Sequence, residues 1–344
     1  MIGVVVASVV AGCAGHRATL DGDRRATLER RAMACLVAAV QYEANPAVRV
    51  AAAEALQSVD SDAARAWVRS ALSDDHPAVR YAACLAVGVT RDALGAESAR
   101  RCLTDHDPSV RVGALFALHR LGDPSETGRL ADYLLDHEDA TVRRNAALVL
   151  GMMGEPGAVK MLARAMRDGD AGVRQHALEA MARLGNREAA KELTFMANAG
   201  VGSDEVIAVQ ALTTTGDRAY ADALRYKLST AIHLETRLAA AAGLGALGID
   251  DGYETAIRAL NRATVRLVDA NDPPAMQRLR TQQLAATALG AIGRADALPA
   301  LADLLDHSPD PRLQVAAARA ILMILQRGAT DYGQTDAVAQ WPNG

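Results

Sequence analysis

The stretch Asp107-Pro108-Ser109-Val110-Arg111-Val112-Gly113-Ala114-Leu115-Phe116-Ala117-Leu118-His119-Arg120-Leu121-Gly122 returns, in altered copies, along almost the whole chain of 344 residues. With Arg111 as anchor, the corresponding positions are Arg49, Arg80, Arg143, Arg174, Glu205, Arg237, Gln282 and Gln314, spaced by 31 or 32 residues except for one interval of 45. Three residues after every anchor stands an alanine, from Ala52 to Ala317, and seven after stands Leu, Val, Met or Ile. A period of this length marks stacked structural units.

Each copy reads as one helix. Apolar residues such as Val110, Ala114, Ala117, Leu118 and Leu121 gather on one face at 100° per residue. Asn45-Pro46, His76-Pro77, Asp107-Pro108 and Asp310-Pro311 are helix starts, with a capping side chain followed by proline where its missing N–H costs nothing. Gly122, Gly154, Gly185, Gly216, Gly248 and Gly293 follow as stops. Between stop and start lies a second amphipathic segment, for example Glu126 to Leu135 or Gly157 to Met166. The unit is therefore a helical hairpin, and neighbouring hairpins must stack to bury their faces. The expected fold is all-α, an open α-solenoid of nine hairpins over 24–327 with a concave surface formed by the second helices. The repeats divide as 24–60, 61–91, 92–122, 123–154, 155–185, 186–216, 217–248, 249–293 and 294–327.

The pattern Asp-Pro-Ser-Val-Arg, then Ala-Leu-Phe-Ala-Leu, then Leu-Gly resembles the short bacterial HEAT-like repeats also found in phycobilisome lyase proteins. That resemblance implies the fold and little about activity, because the superfamily includes scaffolds, lyases, DNA-repair proteins and a metal hydroxylase.

Composition agrees with close helix packing: half of the residues are hydrophobic and only 3% aromatic. A net charge of −4 argues against a nucleic-acid groove, which would be basic and lined with stacking aromatics. Ahead of the repeats, Ile2 to Val10 is apolar and runs into Val10-Ala11-Gly12-Cys13, which resembles the lipobox of bacterial lipoproteins. Residues 1–13 are expected to be a lipoprotein signal with lipidation at Cys13, and 14–23 a tether. No Lys or Arg precedes the apolar run, a departure from the pattern. A bacterial envelope location follows, the cytoplasm being the alternative. Arg24, Arg25, Glu29, Arg30 and Arg31 are expected to face solvent on an end-capping first helix, and 328–344 to form a disordered tail. An insertion around Val268 to Pro274 is expected to lengthen the first helix of repeat eight.

The anchors Arg49, Arg80, Arg111, Arg143, Arg174 and Arg237 are expected to form an ion-pair ladder with helix-start aspartates such as Asp107, Asp139 and Asp170, keeping neighbouring repeats in register. The turn histidines His76, His106, His137 and His307 could suggest a metal. Only His137-Glu138 makes a His-Glu pair, so turn and cap chemistry is the reading kept. Gly243-Leu244-Gly245-Ala246-Leu247-Gly248 satisfies G-x-G-x-x-G, but it sits in helix columns rather than between strand and helix. Cys84 and Cys102 are read as buried thiols. No metal, no cofactor and no catalytic residue is assigned.

The positions one, five and eight after the anchor point away from the core. In repeats two to four they include Tyr81, Leu85, Val112, Phe116, His119, Arg144 and Leu148, which are expected to bind a protein or peptide. Lateral packing between second helices is the other use of the same positions. The functional expectation is a non-enzymatic interaction scaffold; the alternative is a lyase-like or metal-dependent enzyme on the same repeats.

Overall fold

The computed structural model describes residues 22–199, 203–261 and 273–337. Within them every regular element is helical, and the α-helices fall into nine hairpins. The first helices are α1 (Gly22–Val40), α3 (Asp62–Ala71), α5 (Ala96–Cys102), α7 (Leu130–Leu135), α9 (Val159–Ala165), α11 (Arg187–Ala199), α13 (Ala221–Thr230), α15 (Tyr253–Asn261) and α17 (Leu298–His307). The second helices are α2 (Pro46–Leu56), α4 (Pro77–Thr90), α6 (Pro108–Arg120), α8 (Ala140–Met153), α10 (Ala171–Arg183), α12 (Ser203–Thr214), α14 (Leu234–Ala246), α16 (Pro274–Ile292) and α18 (Pro311–Ala337).

The start and stop signals work as their chemistry dictates. Asn45, His76 and Asp107 cap α2, α4 and α6, each accepting a backbone N–H from the first turn, with proline at the first position. The six stop glycines all have positive φ, from +67° to +93°. The second helix of repeat two ends on Arg91 instead, the one non-glycine residue in the left-handed region among those described, at φ +50°.

Second helices pack along one another from α2 through to α18, whereas successive first helices touch far less. The closely spaced set must lie on the shorter circumference, so the second helices form the inner wall and the first helices the outer. The alanine three residues after each anchor is 0% exposed in all nine repeats, buried between these layers. Glycines eight residues after the anchor bring inner helices still closer: a Cβ on Gly151 would lie 2.7 Å from Ala180 Cβ, and one on Gly290 would lie 2.9 Å from Ala320 Cα.

The row does not stay open. Helix α18 packs on both α1 and α2, and α1 lies between α18 and α2 as α3, α11 and α15 each lie between two successive second helices. One continuous apolar core therefore runs from Leu28 to Leu118 and from Leu238 to Leu325, across the join of the first and last repeats. Polar contacts finish the seam. Arg25 donates to the Leu325 carbonyl and Arg31 pairs with Asp306. The Gln326 amide, turned to suit both neighbours, donates to the Ser58 carbonyl (2.9 Å) and accepts from the Asp60 N–H (3.2 Å). The molecule is a closed ring of nine hairpins.

Closure corrects the expectation of an open solenoid; Arg24, Glu29, Arg30 and Arg31 are exposed as expected, while Arg25 is half-buried and Arg25 and Arg31 also contact the last repeat. Two further expectations change. Helix α18 continues through Ala337, so 328–337 is helical, and 338–344 lie outside the described residues. In repeat eight the described extra length belongs to the second helix, because α16 begins at Pro274, eight residues before its anchor, while residues 262–272 lie outside the described set.

Candidate binding surfaces of the ring

The anchor ladder holds one rim of the ring together. Arg143 Nη1 donates to the carbonyls of His137 (2.8 Å) and Glu138 (2.9 Å), clamping its own inter-helix turn. Its Nε and Nη2 reach forward to the next turn and grip both oxygens of Asp168 at 2.8 and 2.9 Å. Arg80 repeats this with Asp105 (2.7 and 2.8 Å), and Arg49 with Asp74 (2.9 and 2.8 Å). Planar guanidinium on carboxylate is the geometry that fixes direction as well as distance. The Arg143 fork holds the Asp168 carboxyl below the usual carboxylate range, against partial burial, with help from the Asp170 N–H.

These partners correct the sequence reading. Asp107, Asp139 and Asp170 do not pair with the anchor four residues on. Their carboxylates accept the backbone N–H groups of Ser109, Thr141 and Val173, as helix caps. The aspartates that complete the ladder lie 25 residues beyond each arginine. Arg111 instead donates to the Tyr133 hydroxyl (2.8 Å), and its own-turn clamp reaches the Asp105 carbonyl (2.7 Å). Arg174 makes the own-turn clamp on Asp168 and Gly169, while Arg237 Nε has no partner among the described residues.

One rung has its charges exchanged. Glu205 stands in the anchor column, accepts from Lys227 Nζ at 2.7 Å and from Thr236 Oγ1 at 3.1 Å, and is buried with both. The lysine and threonine were missed by the sequence reading. The signal was present in the glutamate itself: an acid in an arginine column demands a compensating base.

The expected groove is only partly a surface. Val112 is 0% and Phe116 1% exposed, because Phe116 fills the space over Gly88 on α4. These two are lateral packing residues and have no face to offer a partner. Tyr81, Leu85, His119, Arg144 and Leu148 are half-buried on the inner wall. His119 Nε2 lies 3.1 Å from Glu155 Oε1. Ring closure makes this wall the lining of a lumen, where residues five after the anchor recur: Glu54, Gln210 and Thr287 are exposed, and Glu179 and Arg319 half-buried.

The turn histidines behave as turn chemistry. His76 Nδ1 accepts from the Ala78 N–H and His137 Nδ1 from the Asp139 N–H. Among the described residues no three His, Cys, Asp or Glu side chains group as metal ligands. In the G-x-G-x-x-G stretch, Gly243 lies against Thr213 and Gly245 against Ile292, both helix contacts, and Gly248 closes the helix. Cys84 and Cys102 are buried free thiols; the neighbouring Cys102 thiol and then burial push Cys84 well above the usual thiol range. Cys13 lies outside the described residues.

The most exposed aromatic side chains lie on first helices. Phe195 on α11 is 64% exposed, Tyr226 on α13 is 56% exposed, and Ile232 in the turn after α13 is 83% exposed. Phe195 and Tyr226 stand ten and eleven residues before their anchors on successive first helices.

The model of HEAT repeats matches residues 33–118 and 127–205, and that of the Armadillo/beta-catenin-like repeat matches 289–322. No curated protein matches the chain in sequence. Among solved structures it is similar to the CpcE–CpcF complex of phycocyanin lyase from a Nostoc species (18% identity, 82% of this chain, 100% of that one, TM-score 0.44). It is also similar to human deoxyhypusine hydroxylase (19% identity, 88% of this chain, 98% of that one, TM-score 0.38). Likeness at this level carries no argument about chemistry. The matched repeats and the stacked hairpins together place this chain among the HEAT-repeat proteins.

Proposed function

We propose that the protein is a non-enzymatic interaction scaffold, a ring that docks a folded protein on its outer wall at repeats six and seven. The observation that carries this is the exposure of Phe195, Tyr226 and Ile232. The chain has only two phenylalanines; one is wholly packed and the other stands 64% in water. Large aromatics left in solvent are frequent at the centre of a protein interface, where burying them supplies much of the binding energy. The burial of Val112 and Phe116 supports the outer wall over the groove between second helices, since these two residues are taken up in packing between neighbouring helices. Envelope anchoring through Cys13 belongs to the same proposal, supported by Val10-Ala11-Gly12-Cys13. It is tested by metabolic labelling with a fatty acid, which Cys13→Ser must abolish.

Docking is tested by placing a photo-crosslinking residue at position 195 or 226, and at Arg164 as control, in the producing cell. A defined adduct from 195 and 226 but not from 164 is expected. Absence of any adduct, or the same adducts from all three positions, would overturn the assignment.

A further inference from the structure

We propose that the open groove between α1 and α17, at the seam of the ring, is the docking site of the chain's own N-terminal apolar segment, Ile2 to Val10. Two cavities of about 370 and 450 Å³ mark the groove, and both are lined from the first repeat and the last. In the first, Leu28 of α1 shares the space with Leu298, Pro299 and Ala302 of α17. In the second, Cys35, Ala38 and Ala39 of α1 share it with Val48 of α2 and Leu305 of α17. Arg31 borders both, so the two form one trough along α1, from Asp23 to Tyr42. At 1.5 Å per residue that edge is about 28 Å long.

The trough is a product of ring closure. Across the join α18 packs on α1 and α2, whereas α1 and α17 are bridged by the exposed pair Arg31 and Asp306. What lies between these two helices is apolar and open to water.

Charge and tether length select the occupant. The charged groups lining the trough are Asp23 with Arg24 and Arg31 with Asp306, equal in number and opposite in sign, and Arg31 already has its partner. An occupant bringing a charge would have to break that pair or leave its own charge unmatched, so the trough suits an uncharged apolar chain. Ile2 to Val10 is such a chain, with one isoleucine and five valines, and no charged side chain occurs from Ile2 through Gly15. It is also attached at the right end. Residues 1–21 lie outside the described set, and α1 begins at Gly22, next to the trough residues Asp23 and Arg24. The eleven residues between Val10 and Gly22 can reach about 35 Å, and the nine of the segment can cover about 30 Å when extended, which matches the trough. A tether this short presents the segment at an effective concentration on the order of millimolar, so a modest intrinsic affinity suffices.

This inference goes beyond the scaffold reading. It concerns the chain that still carries residues 1–12; cleavage ahead of a lipidated Cys13 would release the segment and leave the trough open.

The test uses the full chain with Cys13→Ser, which keeps the segment attached and leaves Cys35, half-buried in the trough, as the accessible thiol, since Cys84 and Cys102 are buried. Iodoacetamide alkylation of Cys35, followed by mass spectrometry, should run about tenfold faster once Val4→Asp, Val6→Asp and Val9→Asp are introduced together, as for a segment docked roughly nine-tenths of the time. A photo-crosslinking residue at position 6 should join to peptides of α1 or α17 of the same chain, in a yield independent of protein concentration. Ala38→Glu, at an exposed position on the trough, should abolish that adduct without changing the melting temperature. An unchanged alkylation rate in the triple variant, an adduct on other helices, or adducts formed only between copies and rising with concentration would overturn the proposal. Fatty-acid labelling of Cys13 is a separate measurement, so either reading can fail alone.

Discussion

Glu205 and Lys227 form, at 2.7 Å and largely buried, the contact that Arg111 and Tyr133 form three repeats earlier, with an acid as the anchor and a base 22 residues on. Anchor and partner therefore co-vary along a single molecule. Restoring the arginine of the column should be harmful, because Glu205→Arg would set two buried cations together. A loss of about 3–5 kcal/mol is expected, as for a broken buried pair. Urea unfolding checks it; an unchanged or higher midpoint in Glu205→Arg would show the rung to be decoration.

The seam should be the place where the ring opens. Leu36 on α1 is fully buried, and α1 packs on the last second helix as well as its own. Leu36→Ala is expected to cost about 2–5 kcal/mol. The location of the loss distinguishes a ring from an open row: hydrogen exchange should accelerate in α18 and α2 well before it does in α10. Equal acceleration confined to α1 and α2 would mean that α18 does not depend on α1.

Much of this architecture was legible because repeats write the same physics many times. The alanine column, the glycine stops and the Asn/Asp/His-Pro starts each recur, so chance agreement at one position cannot mislead. Closure was not legible. The angle between successive hairpins is set by sub-ångström details of packing at Gly151, Gly245 and Gly290, and the join shows in the sequence only as Arg25 and Arg31, which read equally well as solvated charges. The binding face was half legible for a related reason. Positions one, five and eight after the anchor point away from the first helices in every repeat, but whether they meet water depends on how near the next second helix lies. Over Gly88 it lies near enough for Phe116 to be wholly enclosed.

That nearness gives a stability prediction of its own. A Cβ on Gly151 would approach Ala180 Cβ to 2.7 Å and Cα to 2.8 Å, and backbone cannot swing aside as a side-chain tip can. Gly151→Ala gains about 1 kcal/mol of helix propensity. Overpacking should outweigh it, for a net loss of about 1–2 kcal/mol. Thermal melts of Gly151→Ala beside Gly157→Ala, where nothing lies within 4 Å, separate the two effects. A stabilised Gly151→Ala would mean the inner helices can spread freely.

Arg91 offers the opposite case. It ends α4 at φ +50°, a conformation that its Cβ disfavours, where six other repeats place glycine or its equivalent stop at positive φ. Arg91→Gly should stabilise the ring by about 0.5–1 kcal/mol. A lower melting temperature in that variant would show that the side chain supplies more than the strain removes.

The ladder should also set how the ring responds to acid. Asp168 is held below its ordinary pKa chiefly by the paired hydrogen bonds of Arg143, and Asp105 is lowered by Arg80 and the Asp107 N–H, which together outweigh the larger single effect of burial. For a carboxyl whose folded pKa is depressed, the unfolded chain takes up protons first as pH falls, so the stabilisation is complete above about pH 4 and disappears as pH drops through the folded value. Asp168→Asn removes both the charge and this dependence. Its deficit relative to the native chain should be constant from about pH 8 to 5 and shrink steadily below about pH 4, where the native Asp168 is itself becoming neutral. Melting temperatures of the two proteins across that range decide it: a deficit that stays the same size into acid would mean that Asp168 acts through shape alone, and that the fork from Arg143 contributes no electrostatic stability to the ring.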